Sequence, residues 1–104
     1  MYVGRDFPVA NQVENYVYGL DFVNDIPPLD SIATATTYLT VFSGVDATPS
    51  SHLVGSPQVN ATVVSQRISG LLAGVTYILQ AVAVTADGDT FSLYSRIACE
   101  DIYS

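Results

Sequence analysis

From Thr90 to Cys99 apolar and polar side chains alternate: Phe91, Leu93, Ile97 and Cys99 share one face, and Thr90, Ser92, Tyr94 and Arg96 share the other. This period predicts a half-buried strand. Directly before it, Val75 to Thr85 sets Val75, Tyr77, Leu79, Ala81 and Ala83 against Ile78, Gln80, Val82 and Val84, so both faces of the second strand are largely apolar. Ala86-Asp87-Gly88-Asp89 joins the two runs, and Asp-Gly supplies the positive φ angles that a tight hairpin turn needs. Upstream, Ser31 to Ser43 is a long β-prone run with mixed faces, ended by Gly44 and a loop carrying Pro49 and Pro57. Gln58 to Ile68 alternates through Val59, Ala61 and Val63 and changes phase at Val64, which predicts a bulge or a strand that switches sheets. No window of ten or more residues holds a 3.6-residue apolar period free of Gly or Pro, and Val, Ile and Thr number 14, 6 and 9. The expectation is an all-β chain folded as a two-layer antiparallel sandwich.

The first thirty residues behave differently. Gly4, Pro8, Gly19, Pro27 and Pro28 interrupt a series of apolar side chains that is too rich for a disordered tail and too broken for a core helix. Two readings stay open: an arm lying on the domain or on a neighbour, with a short strand near Tyr16 to Val23, or the first strand of the sandwich with a frayed end. The working division is an arm over residues 1–18 and a sandwich domain over 19–104.

In Leu71-Leu72-Ala73-Gly74-Val75-Thr76-Tyr77, a leucine stands six residues before the tyrosine and a glycine three before it. This resembles the tyrosine corner of immunoglobulin and fibronectin type III-like sandwiches. There the ring packs in the core and the hydroxyl returns a hydrogen bond to the preceding loop. By that resemblance Tyr77, Gly74 and Leu71 are architectural, and the sandwich is Ig/fibronectin III-like.

Charge narrows the function. Only 12% of the 104 residues are charged, about half the usual share, and the net charge is −7 with no lysine. That balance lacks the counterion-release drive of nucleic-acid binding and any attraction to anionic lipid, so neither is an expected partner. The 19 uncharged residues from Ile68 to Ala86 are long enough to span a bilayer, but glycines and β-branched residues argue for extended chain. With one cysteine and no basic-apolar leader at the start, the chain is expected to assemble in a cytoplasm.

Candidate chemistry is sparse. His52 lies in Thr48-Pro49-Ser50-Ser51-His52, a composition that predicts a solvated loop residue rather than a catalytic base. Cys99 reads as a small buried hydrophobe. Asp87 and Asp89 flank Gly88, a spacing that serves a turn and that a calcium ion could also use. Asp21, Asp25 and Asp30 read as solvated charges, and Asn60-Ala61-Thr62 matches a glycosylation sequon without a secretory context. No enzyme, cofactor or metal site is expected.

Four segments together resemble a family of small tailed-bacteriophage proteins described as fibre-tail or head-tail adaptors. They are Arg5-Asp6-Phe7-Pro8, Tyr18-Gly19-Leu20-Asp21-Phe22, Asp30-Ser31-Ile32 and Val84-Thr85-Ala86-Asp87-Gly88-Asp89-Thr90. Phe22 stands where the family has tryptophan, and one extra residue separates Asp6 from Pro8. The resemblance implies a non-enzymatic virion protein in the tail or head-tail region. It would act in multiple copies as a ring-shaped homo-oligomer against the portal or tail ring and fibres. Capsid decoration and an extracellular fibronectin-like binding module are the alternatives. Candidate interface residues are Phe7, Ile78, Val82 and Val84, with Tyr16, Tyr18 and Phe22 read either as anchors or as core aromatics. Arg5 and Arg96 are expected to pair with acids on a neighbour.

Overall fold

The computed structural model describes residues 2–4, 6–8, 10–11, 13–27 and 30–100. Among them the alternating periods become seven strands: β1 (Ala10–Asn11), β2 (Asn15–Asp21), β3 (Ile32–Ser43), β4 (Leu53–Asn60), β5 (Val63–Ser69), β6 (Thr76–Thr85) and β7 (Thr90–Glu100). A one-turn 3-10 helix at Pro49–His52 leads into β4. Strands β7, β6 and β3 form one antiparallel sheet in that order, with β1 added parallel to the outer side of β7; β2, β5 and β4 form the second. The chain crosses between layers after β1, β2, β3 and β5, which gives the Ig-like sandwich its connectivity.

The core follows directly from period two. Along β6 the side chains of Tyr77, Leu79, Ala81 and Ala83 are buried, and Leu39, Leu93, Ile97 and Cys99 from the flanking strands bury on the same side. Tyr18, Leu20, Val64 and Ile68 close the core from the other sheet. One polar stitch crosses between the layers: the Thr37 hydroxyl donates to the Gln66 side-chain carbonyl at 2.6 Å. The Gln66 amide donates in turn to the carbonyls of Val54 and Gly55, where the register between β4 and β5 is irregular. Gln66 thus satisfies main-chain acceptors that the break in the ladder would leave unpaired.

Three expectations change. The phase shift at Val64 is neither a bulge nor a sheet switch, because Asn60 pairs with Val63 and the chain turns through Ala61 and Thr62, with Ala61 at φ 55. A two-residue hairpin loop needs positive φ, and alanine adopts it here without the glycine that would announce it. The Pro-containing loop ends earlier than expected: from Leu53 it is strand, and β4 runs on the sheet edge, where Pro57 is tolerated. Thirdly, the sandwich starts before residue 19, since β2 pairs with β5 along its whole length from Asn15.

The arm lies on its own domain. Val3 N–H donates to Tyr94 O and Phe7 N–H to Arg96 O, both at 3.0 Å, and Ala10 pairs with Cys99. Phe7 packs edge-on against Tyr18 with ring centroids 5.0 Å apart. Arg5 lies outside the described residues.

Candidate interaction face

The outward side chains of β3, β6 and β7 line up in rows across the sheet. Thr36, Val82 and Ser92 form one row; Tyr38, Gln80 and Tyr94 the next; Thr40, Ile78 and Arg96 the third. Thr34, Val84 and Thr90 continue the pattern at one end. The rows exist because β6, the central strand, is apolar on both faces, while its neighbours place threonines and aromatics outward. Tyr38 and Phe42 are the most open large side chains of β3, at 48% and 55% exposure. Ile78, Val82 and Val84 are half-buried between the adjacent rows.

Arg96 anchors the margin of this face. Its guanidinium carbon stands 4.9 Å from the Tyr2 ring centroid and 5.0 Å from that of Phe42, so the cation sits against two aromatic rings. Asp6 accepts from Arg96 Nε at 3.1 Å and from the Tyr2 hydroxyl at 2.7 Å. The Tyr2 and Asp6 partners hold the Arg96 pKa above its ordinary value. The expectation that Arg96 reaches an acid on a neighbour is therefore corrected: its acid is Asp6 of the same chain, and the pair pins the arm to β7.

The other candidates divide by burial. Phe22 is 0% exposed and Tyr18 5%, so both belong to the core of this chain and neither is presented on its surface. Burial, with Glu14 nearby, pushes the Tyr18 hydroxyl up to about 12. Tyr16 is exposed and packs edge-on against Tyr18. Phe7 is half-buried between the arm and the core. The sheet face thus gathers Ile78, Val82 and Val84; Phe7 and Tyr16 lie elsewhere.

At one end of the sandwich a second polar cluster forms, and here sequence reasoning missed two residues. The Leu72 N–H donates to the Tyr77 hydroxyl at 3.1 Å, and that hydroxyl donates to Asp46 Oδ2 at 2.7 Å. The same oxygen lies 2.7 Å from His52 Nε2. His52 is not a solvated loop residue: its side chain is 12% exposed and that of Asp46 4%. Tyr77 is therefore a tyrosine corner with an added clasp, in which Asp46 draws the β3–β4 loop onto the β5–β6 loop. Gly44 makes this approach possible, since it holds φ +97 and a Cβ there would stand 3.0 Å from the Gly74 carbonyl. Leu71 is buried and Gly74 takes φ +81 in the turn.

The chemistry of the clasp is structural. The other ring nitrogen of His52 faces Gly70, where a Cβ would lie 3.6 Å from it, and Ser51 spends its hydroxyl on the Thr48 carbonyl. Burial pushes the Tyr77 hydroxyl up to about 12, and the bond to Asp46 adds to this. The hydrogen bond from Tyr77, followed by that from the Thr48 amide, holds Asp46 below its ordinary value of 3.8. A depressed carboxylate contributes stability that is present above the unfolded value and lost as pH falls through the folded one. Urea midpoints measured below pH 3.8 should therefore fall for the native chain and fall less steeply for Asp46→Asn.

Two further carboxylates clip turns. Asp21 accepts from the Val23 amide and the Thr62 hydroxyl, and Asp30 from the amides of Ser31 and Asp87. Burial raises the Cys99 thiol above its ordinary value. Among the described residues no three His, Cys, Asp or Glu side chains gather as a metal site, and no helix is long and apolar enough to cross a membrane.

Fold and face together define an Ig-like β-sandwich that presents a threonine-rich and aromatic sheet surface. Comparison with protein-family models, curated proteins and solved structures finds no match.

Proposed function

We propose that this chain is a non-enzymatic structural protein of a tailed-bacteriophage virion. It would be an adaptor of the tail or head-tail region, assembled in the host cytoplasm and working in several copies between a tail or portal-proximal ring and fibres or neighbouring ring proteins. The observation that carries the assembly part is the outer face of β3, β6 and β7. In a chain of net charge −7, the rows from Thr34 to Arg96 contain no carboxylate, and the arginine at their margin lies against two aromatic rings and is paired with Asp6 of the arm. Apolar and aromatic groups held on a rigid sheet are what a protein partner buries with little ordering cost. The virion setting is supported by the adaptor-like segments at 5–8, 18–22, 30–32 and 84–90.

The reading is tested in phage particles carrying the encoded variants. Val82→Asp puts a charge at the centre of the face, and Tyr38→Ala removes an exposed ring. A surface truncation of the latter kind changes stability by only about 0.5 kcal/mol. Both chains should stay folded by circular dichroism, and their copy number in purified particles should fall about tenfold or more if the face carries a central contact. Incorporation of both at the native level overturns the proposal.

A further inference from the structure

The four sheet edges of this sandwich are unequal. β1 is two residues long and follows Pro8; β4 carries Pro57 and a register irregularity between Val54 and Gln58; β2 is seven residues long and ends in Asp21. β3 is irregular only near its ends, where its register with β6 shifts between Ile32 and Thr34 and between Val41 and Ser43. It is twelve residues long, pairs with β6 in regular register from Thr34 to Val41, and has no hydrogen-bonded strand on its other side among the described residues. It contains no charge, proline or glycine, and it lies in an uncharged run between Asp30 and Asp46. A long, uncharged edge presents a row of free main-chain donors and acceptors that another strand can complete.

We infer that a second copy of this chain pairs with β3 antiparallel through a two-fold axis at Tyr38, joining two four-stranded sheets into one eight-stranded sheet. The inference rests on the multi-copy reading above and names the surface through which copies meet. Charge and register both favour a copy as occupant. Each chain carries −7, so copies repel wherever carboxylates face each other, and β3, unlike the β2 edge with Asp21, carries none. Self-pairing at this register sets Tyr38 opposite Tyr38 and Thr36 opposite Thr40 on the outer side, with Leu39 opposite Thr37 on the inner side. Aromatic pairs and Thr–Thr pairs are favourable across antiparallel strands. Thr36, Tyr38 and Thr40 are exposed in the single chain and free to form them. The two outer faces then become one continuous surface.

The test uses the full chain. Directly opposite residues in antiparallel strands have Cα atoms about 4.5–5.5 Å apart, within the range of about 4.4–6.8 Å that a disulfide spans. Tyr38→Cys should therefore form a disulfide-linked dimer under mild oxidation, while the native chain, whose Cys99 is buried, stays unlinked. In sedimentation at low salt, Thr36→Lys with Thr40→Lys should weaken dimerisation about tenfold or more, because like charges then meet across the axis. Thr36→Lys with Thr40→Glu should restore it, because the same positions then meet as opposite charges. Absence of the linked dimer, or equal sedimentation of both double variants, overturns the β3 pairing. If that happens while Val82→Asp still removes the chain from particles, the edge is wrong and the adaptor reading stands. If Val82→Asp is also silent, both are wrong.

Discussion

Phe22→Ala should destabilise the isolated chain by about 3–5 kcal/mol, the cost of emptying a fully buried aromatic site that the surroundings cannot close. Phe22 is 0% exposed and stands just after β2, where its amide donates to Thr62 O at 2.8 Å and its carbonyl accepts from Asp25 and Ile26. The ring holds this turn against the core, so its removal loosens both the packing and the anchor of the β2–β3 connection. Against a total of about 5–15 kcal/mol, the loss is a large fraction of the stability. Thermal melts should show a drop of more than about 10 °C for a domain of this size. The experiment also separates two roles: an aromatic reserved for a partner would leave the melting of the single chain unchanged and affect only assembly.

Legibility in the sequence tracked the length of the period. β6 and β7 are β-prone runs of ten residues or more, β7 alternates except at the buried Ser95, and their hairpin carries Asp87-Gly88, so the two strands, the faces of β7 and the turn could be read from local chemistry alone. Between β4 and β5 the same method failed, because Ala61 takes a positive φ that nothing in Asn60-Ala61-Thr62 requires. The two short strands therefore looked like one strand with a phase error. Aromatics near the start were ambiguous for a different reason. Tyr16 and Tyr18 are two residues apart on one strand, yet one is exposed and the other buried. Tyr18 joins the core cluster and is also met by Phe7, which the arm brings against it from a distance in sequence.

His52 shows the same limit at the sandwich end. Its local composition is that of a loop, and its actual environment is made by Asp46 and Tyr77, which stand on other segments. The tyrosine corner gave the one available signal: a buried hydroxyl already accepting a main-chain amide still has a proton to donate. A carboxylate in the loop after β3 supplies the acceptor, and a search of that loop for one would have found Asp46. The sheet face was more accessible, since Ile78, Val82 and Val84 share a parity with each other and with no charged residue of β6. Its freedom from carboxylate depended on β3 and β7 flanking β6, a pairing that the period of one strand does not specify.

Tyr77→Phe should lower stability by about 1–2 kcal/mol while leaving the ring in place, because it orphans the Leu72 amide and removes a donor from Asp46. The phenyl ring still fills the core position and still meets His52 edge-on, where the native centroids are 5.7 Å apart. Truncation to alanine would confound the loss of two hydrogen bonds with a cavity, so phenylalanine is the informative change. It also carries a signature in pH. The Tyr77 hydroxyl is raised from 10.0 to about 12, so the folded chain holds this proton more tightly than the unfolded one. The corresponding stability is fully present below pH 10.0 and is lost as pH rises through about 12. Tyr18, raised to about 12 by its own burial, adds to the same alkaline loss and remains in the variant. Tyrosinate absorbance followed together with circular dichroism should show the native chain losing stability in this window and Tyr77→Phe losing less across it, from a lower starting point. Equal alkaline slopes for the two chains would mean that the hydroxyl makes its bonds to Leu72 and Asp46 without contributing to the fold.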